Sequence, residues 1–542
     1  MKAYKILAYL TLGISGLFIG ACDSRFDDIN ADPNRASTVT TTFLLTQVER
    51  YIAFNYYDSW QGHRMNGVIG QQWAQRTYTE EDRYDFSART STIANFFNLA
   101  YYASEYCNKI IELNEDPTAE AYGDSRLQVA TAKILKAWLI FHVVQTYGDV
   151  PYTEANDVFN ILTPKFDTQE FIFKDLIRVL KEVNTSLQGV TRGWTSGDVI
   201  FGGDPDQWRR FANSLRLQIA MRMSNVEPTL SASEADAAIN DGVMRDAGDS
   251  AVFKFVGMGS PNQHPKFETY LSRMDFIPSW QFVNMLYGRD DDNIGFKNPF
   301  NGIEDPRYVQ FVQSPDDQAA GLPVKNLVPP MGLTNQENNT VWSSLAGTPD
   351  MRVTYGPTAS RPDNMLAKPV QAAFWSTFID FPNVAFLIAE RRGNDRGYFQ
   401  QGIEASMEIW GVPAADAAAY VAAVMDKFDA ADAEGKFEMI ITQKYIHNFA
   451  HYDQESVYEY RRTEYPKSVV LPGQQSGGTY IIGGEPTTFK FTPLVETSTF
   501  LQRMMYPNTQ FTYNRANTED AVKSMGGDTQ NIPLYYSKGY RK

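Results

Sequence analysis

Apolar residues recur at intervals of three and four through the first half of the chain. In SRLQVATAKILKAWLIFHVVQTYGD, Leu127, Ala130, Ile134, Trp138, Phe141 and Gln145 fall on one face of a long helix that ends at Gly148. DTQEFIFKDLIRVLKEV opens with Asp167 and Glu170 at capping-box spacing and carries Ile172, Leu176, Val179 and Leu180 on one face. GDPDQWRRFANSLRLQIAMRM has Asp204 as N-cap, Pro205 at the first helical position and Gln207 at the third, then a stripe of Trp208, Phe211, Leu215 and Ile219. Starts near Thr92 and Ser125 lie 33 residues apart, and those near Thr168 and Pro205 lie 37 apart. That spacing predicts helical hairpins of the tetratricopeptide kind, although the repeat consensus is absent.

The pattern then breaks. From about Ala247 to Trp375, Pro, Gly, Asn and Asp are frequent and periodic runs are short. SAVFKFVG reads as a strand, whereas RDDDNIGFKNPFNGIEDP and NLVPPMGLTNQENNT read as loops. Long irregular stretches inside a folded chain are often functional. Helical patterns return in FPNVAFLIAERR, YFQQGIEASMEIWG and KFEMIITQKYIHNFAHYDQESVYEYRR. TYIIGGEPTTFKF predicts a hairpin with a four-residue turn at Gly483–Pro486. The expected fold is mainly α: a tetratricopeptide-like helical hairpin scaffold with a loop-rich part carrying short strands and hairpins. Its expected parts are a single unit over 41–542, made of helical repeats (41–246), a loop-rich ligand face (247–376), further helices (377–470) and a C-terminal hairpin and tail (471–542).

The N-terminus carries an address. Lys2 and Lys5 precede the apolar run Ile6–Ile19, whose 14 residues suit a signal peptide. A spanning helix needs ~20. The best later candidate for a span, AKILKAWLIFHVV, is interrupted by Lys133 and Lys136. After Gly20 and Ala21 comes Cys22. IGAC (Ile19–Cys22) resembles the lipobox of bacterial lipoproteins, with Ile where Leu is usual. The resemblance implies a signal peptide over 1–21, cleavage before Cys22, and lipidation of its sulfur and new amine. Two or more acyl chains anchor stably where one does not. DSRFDD (Asp23–Asp28) opens an acidic tether over 22–40 and resembles the export tag of surface lipoproteins in Bacteroidetes-type bacteria. Of the two cysteines, Cys107 is then the remaining thiol, so no intramolecular disulfide forms, and its helical setting makes it a small buried apolar residue.

Hydrophobic residues at 43% and charged residues at 21% are an ordinary globular mixture. Loss of Lys2 and Lys5 takes the net charge from −15 to −17, which argues against a nucleic-acid partner. The aromatic fraction of 13% serves core packing, a surface that stacks flat ligands, or both.

Motifs for catalysis are weak. HNFAH places His447 and His451 one helical turn apart, but Asn448 stands where a zinc protease needs Glu and no third His lies nearby, so both read as packing or surface residues and no metal is expected. Asp290–Asp292 suits calcium less well than a solvated acidic loop. No residues are singled out as catalytic and no cofactor is expected. Carboxylate pairs for glycoside hydrolysis exist in number among 64 acidic residues, which keeps a surface glycoside hydrolase as the rival reading.

Five segments in order give the chain its likeness. They are FDDINADPN (Phe26–Asn34), TYGDVPYTEA (Thr146–Ala155), WRRFANSLRLQIAMRM (Trp208–Met223), FLIAERR with GIEASMEIWGV (Phe386–Arg392, Gly402–Val412), and EYRRTEYP followed by RMMYPNTQFTYNRAN (Glu459–Pro466, Arg503–Asn517). Together they resemble the SusD/RagB family of nutrient-binding outer-membrane lipoproteins. The chain departs from the family at Val457 and Tyr458, where Trp is usual, at Glu464, where Gly is usual, and at Gln510, where Glu is common. The resemblance implies a non-enzymatic lid, hinged over a SusC-like TonB-dependent transporter, that captures an oligosaccharide or, in some relatives, a peptide.

The family's ligand-contacting rings are not fixed by a motif, so candidates rest on chemistry: exposed rings cover C–H faces while amides and charged groups meet hydroxyls. QQWAQRTYTEEDRYDF offers Trp73 and Tyr78 with Gln72 and Arg76, and ENNTVWSS offers Trp342 in what reads as a polar loop. Trp280 and Trp375 have apolar neighbours and read as packing. Trp138, Trp208 and Trp410 lie on helical stripes and belong to the core.

Overall fold

A computed structural model of the chain describes residues 39–270, 275–320, 330–344 and 363–540. The expected signal peptide over 1–21, Cys22 and the tether as far as residue 38 lie outside the described residues. The fold is mainly helical. Six consecutive helices, α1 (Thr41–Asn55), α2 (Thr90–Leu113), α3 (Ser125–Tyr147), α4 (Gln169–Ser186), α5 (Pro205–Arg222) and α6 (Pro228–Gly242), each pack on the next in line. This is the helical-hairpin scaffold that the spacing predicts, with α2 beginning two residues earlier than expected. A second group follows: α7 (Phe381–Arg391), α8 (Arg396–Trp410), α9 (Ala414–Ala430), α10 (Ala433–His447) and α11 (Asp453–Thr463).

The caps are mostly those the sequence announces. Asp204 accepts from the amides of Asp206 and Gln207 and starts α5. At α4 the cap is Thr168, whose hydroxyl accepts from Phe171 N at 3.3 Å. Asp167 belongs instead to a short strand and accepts from Thr153. The expected capping box at Asp167 is therefore one residue out of place. The Ala-rich α9 has a weak apolar stripe, too faint to mark a helix by periodicity. It buries Tyr420, Val421, Val424, Met425 and Phe428.

α3 is long and apolar enough to cross a membrane, Lys133 and Lys136 notwithstanding, but 83% of its most apolar window is buried within the protein. Trp138, Phe141 and Ile134 all sit in the core. Burial of Cys107 in the same region pushes its thiol pKa up to about 12, which leaves it an inert apolar filler.

Among the described residues two large apolar cores result, with a small third cluster of Leu333, Val341 and Tyr480. The first fills the space among α1–α6, α11 and the C-terminal tail. The second lies among α8–α10 and the loop-rich part. Helix α7 joins them: Val384, Leu387 and Ile388 face the first core, Phe386 and Ala389 the second.

A buried ionic lattice stitches the same seam. Arg222 on α5 pairs with Glu455 at 2.6 Å and also with Glu459, both on α11. Lys444 on α10 reaches Glu455 at 2.7 Å, and Arg462 spans Glu459 at 2.7 Å and Glu390 on α7 at 2.7 Å. The carboxylates and guanidiniums compensate one another's desolvation. Arg461 turns the other way, donating to the carbonyls of Leu501 and Gln145. The EYRRTEYP segment is thus a structural joint.

Among the described residues the strands form four antiparallel pairs: β1 (Trp73–Gln75) with β5 (Phe276–Pro278), β2 (Val150–Pro151) with β3 (Phe166–Asp167), β4 (Ala251–Lys254) with β6 (Trp375–Ile379), and β7 (Gln475–Ile482) with β8 (Glu485–Lys490). In the last pair Ile482 sits opposite Glu485, so the turn has two residues where four were expected. Gly483 and Gly484 have φ of 61° and 90°, the left-handed pair that a tight hairpin requires.

Candidate functional site

β1 decides which of the predicted ring residues meet solvent. Trp73 in register opposite Pro278 is drawn inward, fully buried. It stacks on Phe449 at 4.5 Å, meets His63 edge-on at 4.2 Å and donates through Nε1 to Asp453 Oδ1 at 3.3 Å. Gln72 is equally buried and donates to the carbonyl of Tyr445 at 2.6 Å. Both were expected at a ligand face. Both are core residues, because the strand buries every side chain from Gln71 to Gln75 instead of alternating.

The chain surfaces immediately afterwards. Arg76 is half-buried, and its amide donates to the carbonyl of Asp275 at 2.9 Å, prolonging the β1–β5 ladder. Tyr78 takes φ of 60°, which swings its ring outward to 54% exposure. Its amide donates to Asn335 Oδ1 at 2.8 Å.

Asn335 opens a helix over Asn335–Ser344, so Trp342 stands on a helix and not in the polar loop expected. The cue lies in TNQE: Thr334 Oγ1 accepts from Glu337 N at 3.2 Å while the Glu337 carboxylate accepts from Thr334 N at 2.8 Å, a reciprocal capping box. Asn338 fastens the helix to the strand, donating to the carbonyls of Gln75 at 2.7 Å and Arg76 at 3.1 Å. Trp342 is correspondingly 9% exposed, with the Arg76 guanidinium 5.3 Å above its ring. It is a buried base to the face and not a free stacking ring.

The arrangement brings three predicted residues together, Arg76, Tyr78 and Trp342, and separates two, Gln72 and Trp73. It also adds exposed amides that were not foreseen: Asn335, Gln336 and Asn339 on the helix beside Tyr78. One outward ring, one guanidinium held by cation–π contact and three amides can cover an apolar C–H face and meet hydroxyls around it.

A concavity of about 780 Å3 lies between α2, the segment after β2 and the C-terminal tail, lined by Phe97, Tyr101, Tyr102, Asn156, Phe159 and Tyr513. At its edge Phe159 is 98% and Leu162 84% exposed. Exposed apolar clusters of this kind mark interaction surfaces. The acidic loop is settled locally: Lys297 pairs with Asp290 at 3.3 Å and with Asp292, and Asp291 accepts from Asn293.

A family model described as "Starch-binding associating with outer membrane" matches residues 33–481. The chain belongs to the SusD-like family. Among solved structures it is similar to a SusD-like protein from Bacteroidetes (22% identity, TM-score 0.69, 92% of this chain and 100% of that one). A SusD homologue from Bacteroides fragilis aligns with 18% identity and TM-score 0.68 over 92% of this chain and 100% of that one. A chitin-binding SusD homologue from Flavobacterium johnsoniae aligns with 19% identity and TM-score 0.66 over 91% of this chain and 98% of that one. A search of curated proteins gave no match. Relative to the SusD-like pattern, Glu464 is the departure with a visible consequence: it adopts φ of 61° just past α11, the left-handed position that Gly takes without strain.

Proposed function

We propose that this SusD-like protein is a cell-surface lipoprotein, anchored through Cys22, that binds oligosaccharide at the Arg76–Tyr78–Trp342 face. It delivers the ligand as a hinged lid to a partner SusC-like TonB-dependent transporter in the outer membrane. The observation that carries the binding role is Tyr78: an outward ring, held by backbone geometry, flanked by Arg76 and by the amides of Asn335, Gln336 and Asn339. The family description as starch-binding and the chitin-binding name of a structural neighbour support a glycan over a peptide. The apolar rim at Phe159 and Leu162 supports a protein partner on a different surface, and we assign the transporter contact there.

The experiment is calorimetric titration of the protein with starch and chitin oligosaccharides, paired with chromatography of the mixture after hours of incubation. Binding without shortening is expected. Tyr78→Ala should weaken binding by about 5- to 30-fold, the loss of about 1–2 kcal/mol carried by one ring contact, and leave the unfolding midpoint in place. Shortened glycan would establish the hydrolase reading instead. Binding unchanged in Tyr78→Ala would move the site elsewhere.

A further inference from the structure

We infer that Asp380, His447 and His451 form a buried divalent-metal site of the zinc class, with Asp380 Oδ2, His447 Nε2 and His451 Nδ1 as the protein ligands. It goes beyond the glycan-binding reading and does not depend on it.

Three elements converge here. Asp380 caps α7: its Oδ1 accepts from Asn383 N at 3.2 Å and from Asn383 Nδ2 at 2.7 Å, which leaves Oδ2 pointing away from the helix. His447 ends α10. His451 lies in the turn before α11, where Ala450 at φ of 71° reverses the chain and brings the second imidazole back beside the first, ring centres 4.7 Å apart. Oδ2 stands 2.9 Å from His447 Nε2 and 3.9 Å from His451 Nδ1. Donor atoms on a tetrahedral zinc with bonds of ~2.0–2.1 Å lie about 3.3 Å apart, between these two values. The three side chains are at most 1% exposed.

The atoms facing away from this point are all held. His451 Nε2 lies 2.7 Å from the carbonyl of His447. A carbonyl can only accept, so Nε2 carries the proton and Nδ1 presents a lone pair. His447 Nδ1 is 2.9 Å from Ser406 Oγ. Anchoring of the outer ring nitrogen by a carbonyl or hydroxyl is what orients metal-ligating histidines. Thr377 Oγ1 lies 2.9 Å from His451 Nδ1 and offers an oxygen for a fourth position.

Charge points the same way. Asp380 is a buried carboxylate, and among the described residues the ring nitrogens within 4 Å of its Oδ2 are those of these two histidines. A buried carboxylate needs a cation, and a metal ion at this point would face both imidazoles as well as Oδ2. Two imidazoles and a carboxylate are a donor set suited to zinc. Trp375 and Trp410 wall the site, with ring centres 5.4 and 5.6 Å from that of His451. The ion would pin the start of α7 to the α10–α11 turn, across the seam between the two cores.

The test is elemental analysis of the full chain, purified in detergent without a histidine tag and dialysed. Near-stoichiometric zinc is expected, with loss of metal and a lower unfolding midpoint after chelation, and both restored by zinc. Refolding with cobalt(II) should give the intense visible bands of a tetrahedral site. His451→Gln and Asp380→Asn should each lose the metal. Metal-free protein whose midpoint ignores zinc and which gives no cobalt bands overturns the inference. So does a metal content that both substitutions leave unchanged, which would mark surface binding. Should either variant fail to fold, the cobalt spectrum of the unaltered chain still decides.

Discussion

Replacing Trp73 by Ala tests the inward turn of β1. The indole is fully buried, stacked on Phe449 at 4.5 Å and bonded to Asp453 at 3.3 Å. Truncating a buried Trp to Ala costs about 3–5 kcal/mol through lost transfer energy and the cavity left behind. The site cannot collapse easily, since His63, Phe449 and Phe276 are ordered around it by their own ring contacts. We therefore expect about 4 kcal/mol, close to a thousandfold in the folding equilibrium. Trp73→Phe keeps a ring over Phe449 and gives up the Nε1–H bond, an expected loss of about 1–2 kcal/mol. The assay is urea denaturation followed by circular dichroism, with the glycan affinity of the folded fraction measured beside it. Stability should fall in both variants while that affinity stays near the parent value. A Trp73→Ala protein within ~1 kcal/mol of the parent that has lost glycan binding would refute this placement and return Trp73 to the ligand face.

Three further outcomes are expected. Burial raises and the facing Arg and Lys cations lower the pKa values of Glu455 and Glu459, with the cations prevailing, so both stay below the usual 4.5. Their contribution is present above the unfolded value and is lost as pH falls from about 4.5 through the folded values. Glu459→Gln should cost about 3 kcal/mol at pH 7 and flatten the acid limb of a stability–pH curve, and an unchanged limb would refute the lattice's role. Glu464→Gly relieves a left-handed Glu and should raise stability by about 0.5–1 kcal/mol, read as a higher denaturation midpoint, whereas a loss would mean that the surface pair with Lys538 outweighs the strain. Cys22→Ala should leave circular dichroism unchanged and release the protein from the outer-membrane fraction, so retention there refutes lipid anchoring at this residue.

What could be seen in the chain divides along a physical line. Local signals were legible: Asp204 before Pro205, the stripes through Trp138 and Trp208, and the five segments of family likeness all act over a few residues, through capping, periodicity and turn chemistry. The capping box in TNQE was equally local and shows that Trp342 lies on a helix. The site depended on longer reach. Trp73 and Tyr78 are five residues apart with similar neighbours, yet one is sealed beneath Phe449 and the other faces water. The difference comes from β5 some two hundred residues on, which pairs with β1, and from Asn335, which takes the Tyr78 amide. The same holds for His447 and His451: their spacing was visible, but the third group, Asp380, joins them only when α7 docks on α10. The sequence by itself determined most of the helices and the family, because periodicity, capping and family motifs are properties of contiguous residues. Tertiary structure alone decided which rings are exposed and which polar groups meet, because burial is fixed by partners the chain brings back from far away.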